Sequence, residues 1–204
     1  MALLYRAELT PGKLEHLTGW LPGRPWYRGP AAPSLERVAA CRFDDPAGEV
    51  GVETILVRAE PDGPVFHTPL TYRGAPLAGA DSYLLGTSEH TVLGPRWIYD
   101  AAGDPVYAAA LAAAILTGGT EAAEQISTDE GLVPRAPLMS VRGTGSPGAH
   151  VPAVTAVTAV ADGDPTVVTT DALALALVRV LGGDRPDGPA LLWDDRVLAV
   201  IRDI

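Results

Sequence analysis

An α+β fold, made of antiparallel β-sheet with a few packed helices and a second half that is mostly β, is predicted by three features of this chain. Apolar runs of strand length recur between turns rich in Asp, Pro and Gly. Helical spacing is confined to three short stretches, all before residue 127. And 22 Gly with 19 Pro in 204 residues require many turns and short elements.

Taken in order, Thr10-Pro11 offers an N-cap followed by Pro at the first helical position, and Leu14, Leu17 and Leu21 recur at i, i+3 and i+7 until Pro22 stops them. A short amphipathic helix is predicted, with Trp20 beside its apolar stripe and Trp26 and Tyr27 in the Gly/Pro-rich turn after it. Three strand-like runs follow at 35–43, 49–59 and 65–72, separated by Asp45-Pro46-Ala47-Gly48 and Pro61-Asp62-Gly63-Pro64. Such short connections predict an antiparallel meander. Alternation is clearest at Val50, Val52 and Leu56 against Glu53 and Arg58, though Ile55 and Val57 blur it, and Pro69 moves the third run toward a sheet edge. A fourth strand is predicted over 90–99, interrupted near Gly94-Pro95.

Asp104 then reads as an N-cap with Pro105 behind it, and the Ala/Leu-rich run to Leu116 closes at Gly118-Gly119. That helix is apolar nearly all round and is expected to be buried. Thr120 is placed as the cap of a second short helix through Ile126. Beyond it, 127–137 and 143–148 read as loop, and runs at 154–160, 166–169, 173–181 and 197–201 read as a second antiparallel unit. Its turns fall at Asp162-Gly163-Asp164-Pro165 and over 182–188. The organisation read from this pattern is an α+β domain over 1–127, a loop-rich connector over 128–150 and a β-rich C-terminal subdomain over 151–204 packed on the first.

Fifteen basic against 25 acidic residues give a net charge of −10, which repels nucleic acid and anionic membrane surfaces. Cys41 is the only cysteine, so an internal disulfide and a multi-thiolate metal site are excluded and a reducing, cytoplasmic setting is expected. Neither a signal peptide nor a membrane span is expected.

Little catalytic machinery is visible. Kinase-type phosphoryl transfer needs a strand lysine, a catalytic-loop acid and a magnesium-binding acid, whereas Lys13 is the single lysine and lies in a predicted helix. Gly143-Thr144-Gly145-Ser146-Pro147-Gly148 spells G-x-G-x-x-G, but Pro147 and the absence of a βαβ unit make it a surface turn. Gly86-Thr87-Ser88-Glu89-His90 fails the nucleophile-elbow pattern at its last position. His16, His67, His90 and His150 have no metal spacing, and Asp44-Asp45, Asp162/Asp164 and Asp194-Asp195 read as turn-capping pairs. No catalytic residue, metal or cofactor is assigned. The ligand-binding candidates are Trp20, Arg24, Trp26, Tyr27, Trp97, Tyr99 and Asp100: aromatic faces that stack on sugar rings beside groups that bind hydroxyls. The same side chains serve equally as core anchors, which is the reading favoured for the rings.

The block Trp20-Leu21-Pro22-Gly23-Arg24-Pro25-Trp26-Tyr27-Arg28-Gly29 and the later Trp97-Ile98-Tyr99-Asp100 leading to Asp104-Pro105 resemble the N-terminal cap domain of maltokinases and related sugar kinases, over roughly residues 10–126. Pro25 between Arg24 and Trp26, and Pro30 after Gly29, depart from that family's pattern. The resemblance implies a curved antiparallel sheet with packed helices, and a place in the metabolism that turns trehalose through maltose 1-phosphate into α-glucan. The function expected is a non-catalytic cap-like protein that partners a sugar kinase or glucan-metabolising enzyme. The alternatives are a module binding an oligosaccharide or other small ligand, and a hydrolase built on a hydrogen-bonded Ser–His pair in a compact pocket.

Overall fold

The computed structural model describes residues 2–5, 8–128, 131–182 and 187–202. In chain order its elements are β1 (Ala2–Tyr5), β2 (Leu9–Thr10), α1 (Lys13–Trp20), β3 (Glu36–Phe43), β4 (Gly51–Arg58), β5 (Val65–His67), β6 (Leu70–Arg73), β7 (Leu84–His90), β8 (Gly94–Asp100), α2 (Pro105–Thr117), β9 (Glu124–Thr128), β10 (Gly131–Arg135), β11 (Val141–Gly143), β12 (Val157–Ala161), β13 (Thr166–Thr170), β14 (Ala174–Leu177), β15 (Val180–Leu181), β16 (Ala190–Trp193) and β17 (Arg196–Arg202). The α+β class is that expected from the sequence: antiparallel sheet dominates, and the second half is strand and loop.

The principal sheet runs β15-β5-β4-β6-β8-β7-β2, with β3 on the other edge of β4. The second runs β11-β16-β17-β14-β13-β12, and a small sheet joins β1, β9 and β10. One face of the principal sheet packs on α2 and the second sheet, in a core that joins Cys41, Val52 and Leu56 to Leu111, Ile115 and Leu175. The other face packs on α1 and the turn after it, through Leu17, Leu21, Trp26 and Tyr27 against Ile55 and Phe66. No described helix is long and apolar enough to cross a membrane.

Several expectations need correction. The first helix begins at Lys13 with Gly12 as its cap, because the Gly12 N–H donates to the Glu15 carboxylate one turn on; Thr10 instead pairs in β2. Both faces of β4 are covered, and Glu53 is buried at 4% exposure. Pro69 splits its run without moving it to an edge: β5 pairs with the C-terminal half of β4 and β6 with the N-terminal half. The fourth strand is a hairpin of β7 and β8, whose turn is held by His90 Nδ1 accepting the N–H groups of Val92 (3.2 Å) and Leu93 (3.1 Å). Residues 124–128 form strand, not helix, because β1 and β10 flank them, and Thr120 bridges to Arg142 instead of capping. Segment 128–150 carries β10 and β11. The run 173–181 leaves the second sheet after Leu177 and enters the principal one, where Val180 pairs with Phe66.

Helix α2 follows its sequence signals closely. The Asp104 carboxylate accepts the Val106 N–H at 2.9 Å, and Gly118 closes the helix at φ 68°, a left-handed conformation suited to glycine. The G-x-G-x-x-G segment lies against this end. Gly143 N–H donates to Gly119 O, Gly145 N–H to Ile115 O and Ser146 N–H to Leu116 O, so the loop satisfies carbonyls the helix leaves open. A loop packed on the partially negative end of a helix is the reverse of a phosphate cradle.

Candidate functional site

The aromatic candidates do not converge into one open site. Trp26 and Tyr27, at 5% and 7% exposure, stack on Phe66 with ring centroids 6.2 and 5.0 Å away. Trp20 is half-buried, edge-on to Trp26 at 5.9 Å, with the Arg24 guanidinium 4.8 Å over its ring. Trp97 follows β8 on the opposite face from its neighbour Ile98, which belongs to the Trp26 cluster; successive strand residues alternate faces, so the two groups of rings are separated by the sheet. Tyr99, also buried, receives the Leu77 N–H on its hydroxyl at 2.9 Å.

The polar candidates bind the chain's own C-terminal region. Trp26 Nε1 donates to Asp162 at 2.8 Å, and Arg24 pairs with the same carboxylate at 3.3 Å. Asp100 accepts both contacts of Arg179 Nη2, at 3.0 and 2.8 Å. Arg179 also donates from Nε to Thr166 Oγ1 at 2.8 Å and lies 5.2 Å over the Trp26 ring. Three residues expected to meet a ligand therefore fasten residues 20–100 to residues 162–179. Asp162 and Asp164 are corrected with them: Asp164 accepts the N–H groups of Arg179 and Val180.

On the same sheet face, beyond α1, lies a cavity of about 580 Å³ whose lining includes Lys13, Arg42, Glu53 and Tyr72. Glu53 Oε2 accepts from Lys13 Nζ, from the Tyr72 hydroxyl at 2.8 Å and from Arg42 at 3.5 Å. Burial, the largest influence, raises the Glu53 pKa, but Lys13 and Arg42 with the two short hydrogen bonds outweigh it and bring the carboxyl down to about 2. Lys13 is itself pushed down, by burial above all. Sequence reading passed over this cluster. The signals were the single lysine and a glutamate inside an apolar strand run.

A Ser–His pair is present: His16 Nε2 lies 2.7 Å from Ser88 Oγ. Ser88 is 3% exposed, and its hydroxyl donates its one proton to Pro11 O at 2.8 Å. His16 is therefore the donor in the pair and takes no proton from the serine. Beside the ring, the Glu15 carboxylate accepts from Gly12 N–H. The arrangement ties α1 to β7 and presents no activated nucleophile.

His67 is fully buried, donates from Nδ1 to Val178 O at 3.0 Å and has no partner at Nε2. Burial, then the Arg179 charge, push its pKa from 6.5 down to about 3. Both depressed groups make the fold acid-sensitive: an unfolded chain takes up these protons first, so stability falls with pH from 6.5 toward 3 through His67 and from 4.5 toward 2 through Glu53. Between pH 6.5 and 5 the unfolding free energy from urea titration is expected to decline, by up to about 1.4 kcal/mol per pH unit from His67. His67→Asn should flatten most of that slope, leaving the smaller contributions of His16 and His90, which are pushed down in the same sense. An unchanged slope in the variant would rule His67 out as its source.

No curated protein matches the chain. The model of the maltokinase N-terminal cap domain matches residues 20–104, the stretch from Trp20 through the Asp104 helix cap.

Proposed function

We propose that this protein is a non-catalytic, cap-containing partner of a sugar kinase or glucan-metabolising enzyme in trehalose and α-glucan metabolism, working in the cytoplasm by binding or regulation. The observation that carries the reading is that Arg24, Trp26 and Asp100 of the cap segment are bonded to Asp162 and Arg179, which makes the cap a braced body with its motif side chains turned inward. A braced cap with these polar groups occupied suits docking by its outer surface. Phosphoryl transfer has little support: the one lysine is ion-paired to Glu53 on a helix start, and among the described residues no three His, Cys, Asp or Glu groups gather to hold a metal. Stacking of saccharides is disfavoured by the burial of Trp26 and Tyr27. The net charge of −10 argues against nucleic acid as the partner.

The test mixes the purified chain with maltokinase from the same cells, reading co-elution in size-exclusion chromatography and the kcat and KM for maltose phosphorylation. A stable complex or a shifted constant is expected. Separate elution with unchanged kinetics overturns the reading, as would ATP-dependent maltose phosphorylation by the chain alone.

A further inference from the structure

The cavity beside α1 has the size of a small-molecule site and an unbalanced inner charge. Lys13 and Arg42 face a single carboxylate, Glu53, so this inner group carries one net positive charge in a chain whose total is −10. Both cations converge on the same oxygen, Glu53 Oε2, which also receives the Tyr72 hydroxyl. Each makes one hydrogen bond there, although an ammonium offers three donors and a guanidinium five. Their side chains are only 26% and 20% exposed, so water screens them less than it screens surface cations. Arg37 on β3 and Arg96 on β8 complete the basic wall. The other acidic groups of the lining are engaged or exposed: Asp45 accepts the N–H groups of Ala47, Glu49 and Val50, the buried Glu124 lies 3.8 Å from Arg135, and Asp44 and Glu49 are exposed on the β3–β4 turn.

We propose that this cavity binds a small anionic metabolite through its carboxylate or phosphate group, held by Lys13, Arg42 and Arg37. An arginine fork supplies two parallel donors to either group, and an anion balances the buried excess charge. The inference is independent of the partner reading, because it is measured on the isolated chain.

Calorimetric titration of the whole chain with sodium phosphate, glucose 6-phosphate and succinate, with neutral glucose as control, tests it and separates phosphate from carboxylate recognition. Saturable binding of at least one anion and none of glucose is expected. Arg42→Gln should weaken it by about tenfold or more, the loss of one charge-assisted hydrogen bond, and Glu53→Gln should tighten it. Arg37→Gln, which alters an exposed side chain and leaves Glu53 its partners, should weaken it too and keeps the test valid if Arg42→Gln fails to fold. No saturable binding of any of the three anions by the folded wild-type chain overturns the proposal, as does an affinity unmoved by Arg37→Gln together with any folded Arg42→Gln.

Discussion

Arg179→Met is expected to lower the unfolding free energy by about 3–5 kcal/mol, measured by urea titration. Arg179 has no exposed surface, and its guanidinium joins Asp100, Thr166 and the His67 carbonyl while covering Trp26. Removing it leaves Asp100 buried with one weak remaining contact, the Ala102 N–H at 3.4 Å, and a buried carboxylate without a counter-charge is among the costlier defects a core can hold. The bridge also spans 79 residues of sequence, from the end of β8 to the start of β15, so its loss loosens the seam that fixes the cap segment to the second sheet. Adding Asp100→Leu to Arg179→Met should recover much of the loss, since a pair replaced by apolar groups leaves no orphaned charge. A single variant that costs under about 1 kcal/mol, in the range of a surface ion pair, would mean that the two groups are solvated and the seam is held elsewhere.

The same seam marks the limit of what the sequence made legible. Helix α2 was readable because its signals are local: Asp104 and Pro105 at one end, Gly118 at the other. Strands β3 and β4 were readable for the same reason, between turns rich in Pro and Gly. Strand β9 was not, because its partners, β1 and β10, come from opposite directions along the chain, and Thr120 looked locally like a cap. Residues 84–88 were missed because Gly86 and Ser88 are poor strand signals; at Gly86 a Cβ would lie 2.8 Å from the His16 ring. At the site, the right side chains were singled out for the wrong partner. Trp26 and Asp162 are 136 residues apart, and a polar edge aimed at a distant carboxylate of its own chain cannot be told locally from one aimed at a sugar. The cluster at Lys13 and Glu53 was hidden because alternation along β4 carries no information that α1 covers the face on which Glu53 lies.

Gly145→Ala is expected to cost about 3 kcal/mol, roughly 10 °C in Tm for a chain of this size. A Cβ on Gly145 would fall 1.9 Å from Leu116 O and 2.6 Å from Ile115 O, both backbone atoms that no rotamer change can move aside. The loop must lift off the helix end, and the hydrogen bonds from Gly145 N–H to Ile115 O and from Ser146 N–H to Leu116 O go with it, each contributing about 1 kcal/mol. Two carbonyls near the apolar core of α2 are then left to find water. Gly148→Ala is the control. It lies in the same loop at φ 81° with nothing within 4 Å of the added carbon, so it should cost only the roughly 1–2 kcal/mol of a left-handed alanine. A deficit in Gly145→Ala well beyond that in Gly148→Ala means that the glycine pattern exists for close packing on a helix end. Equal, small effects in both would mean that the loop is a free surface turn, and the C-terminal carbonyls of α2 would have to be satisfied by solvent.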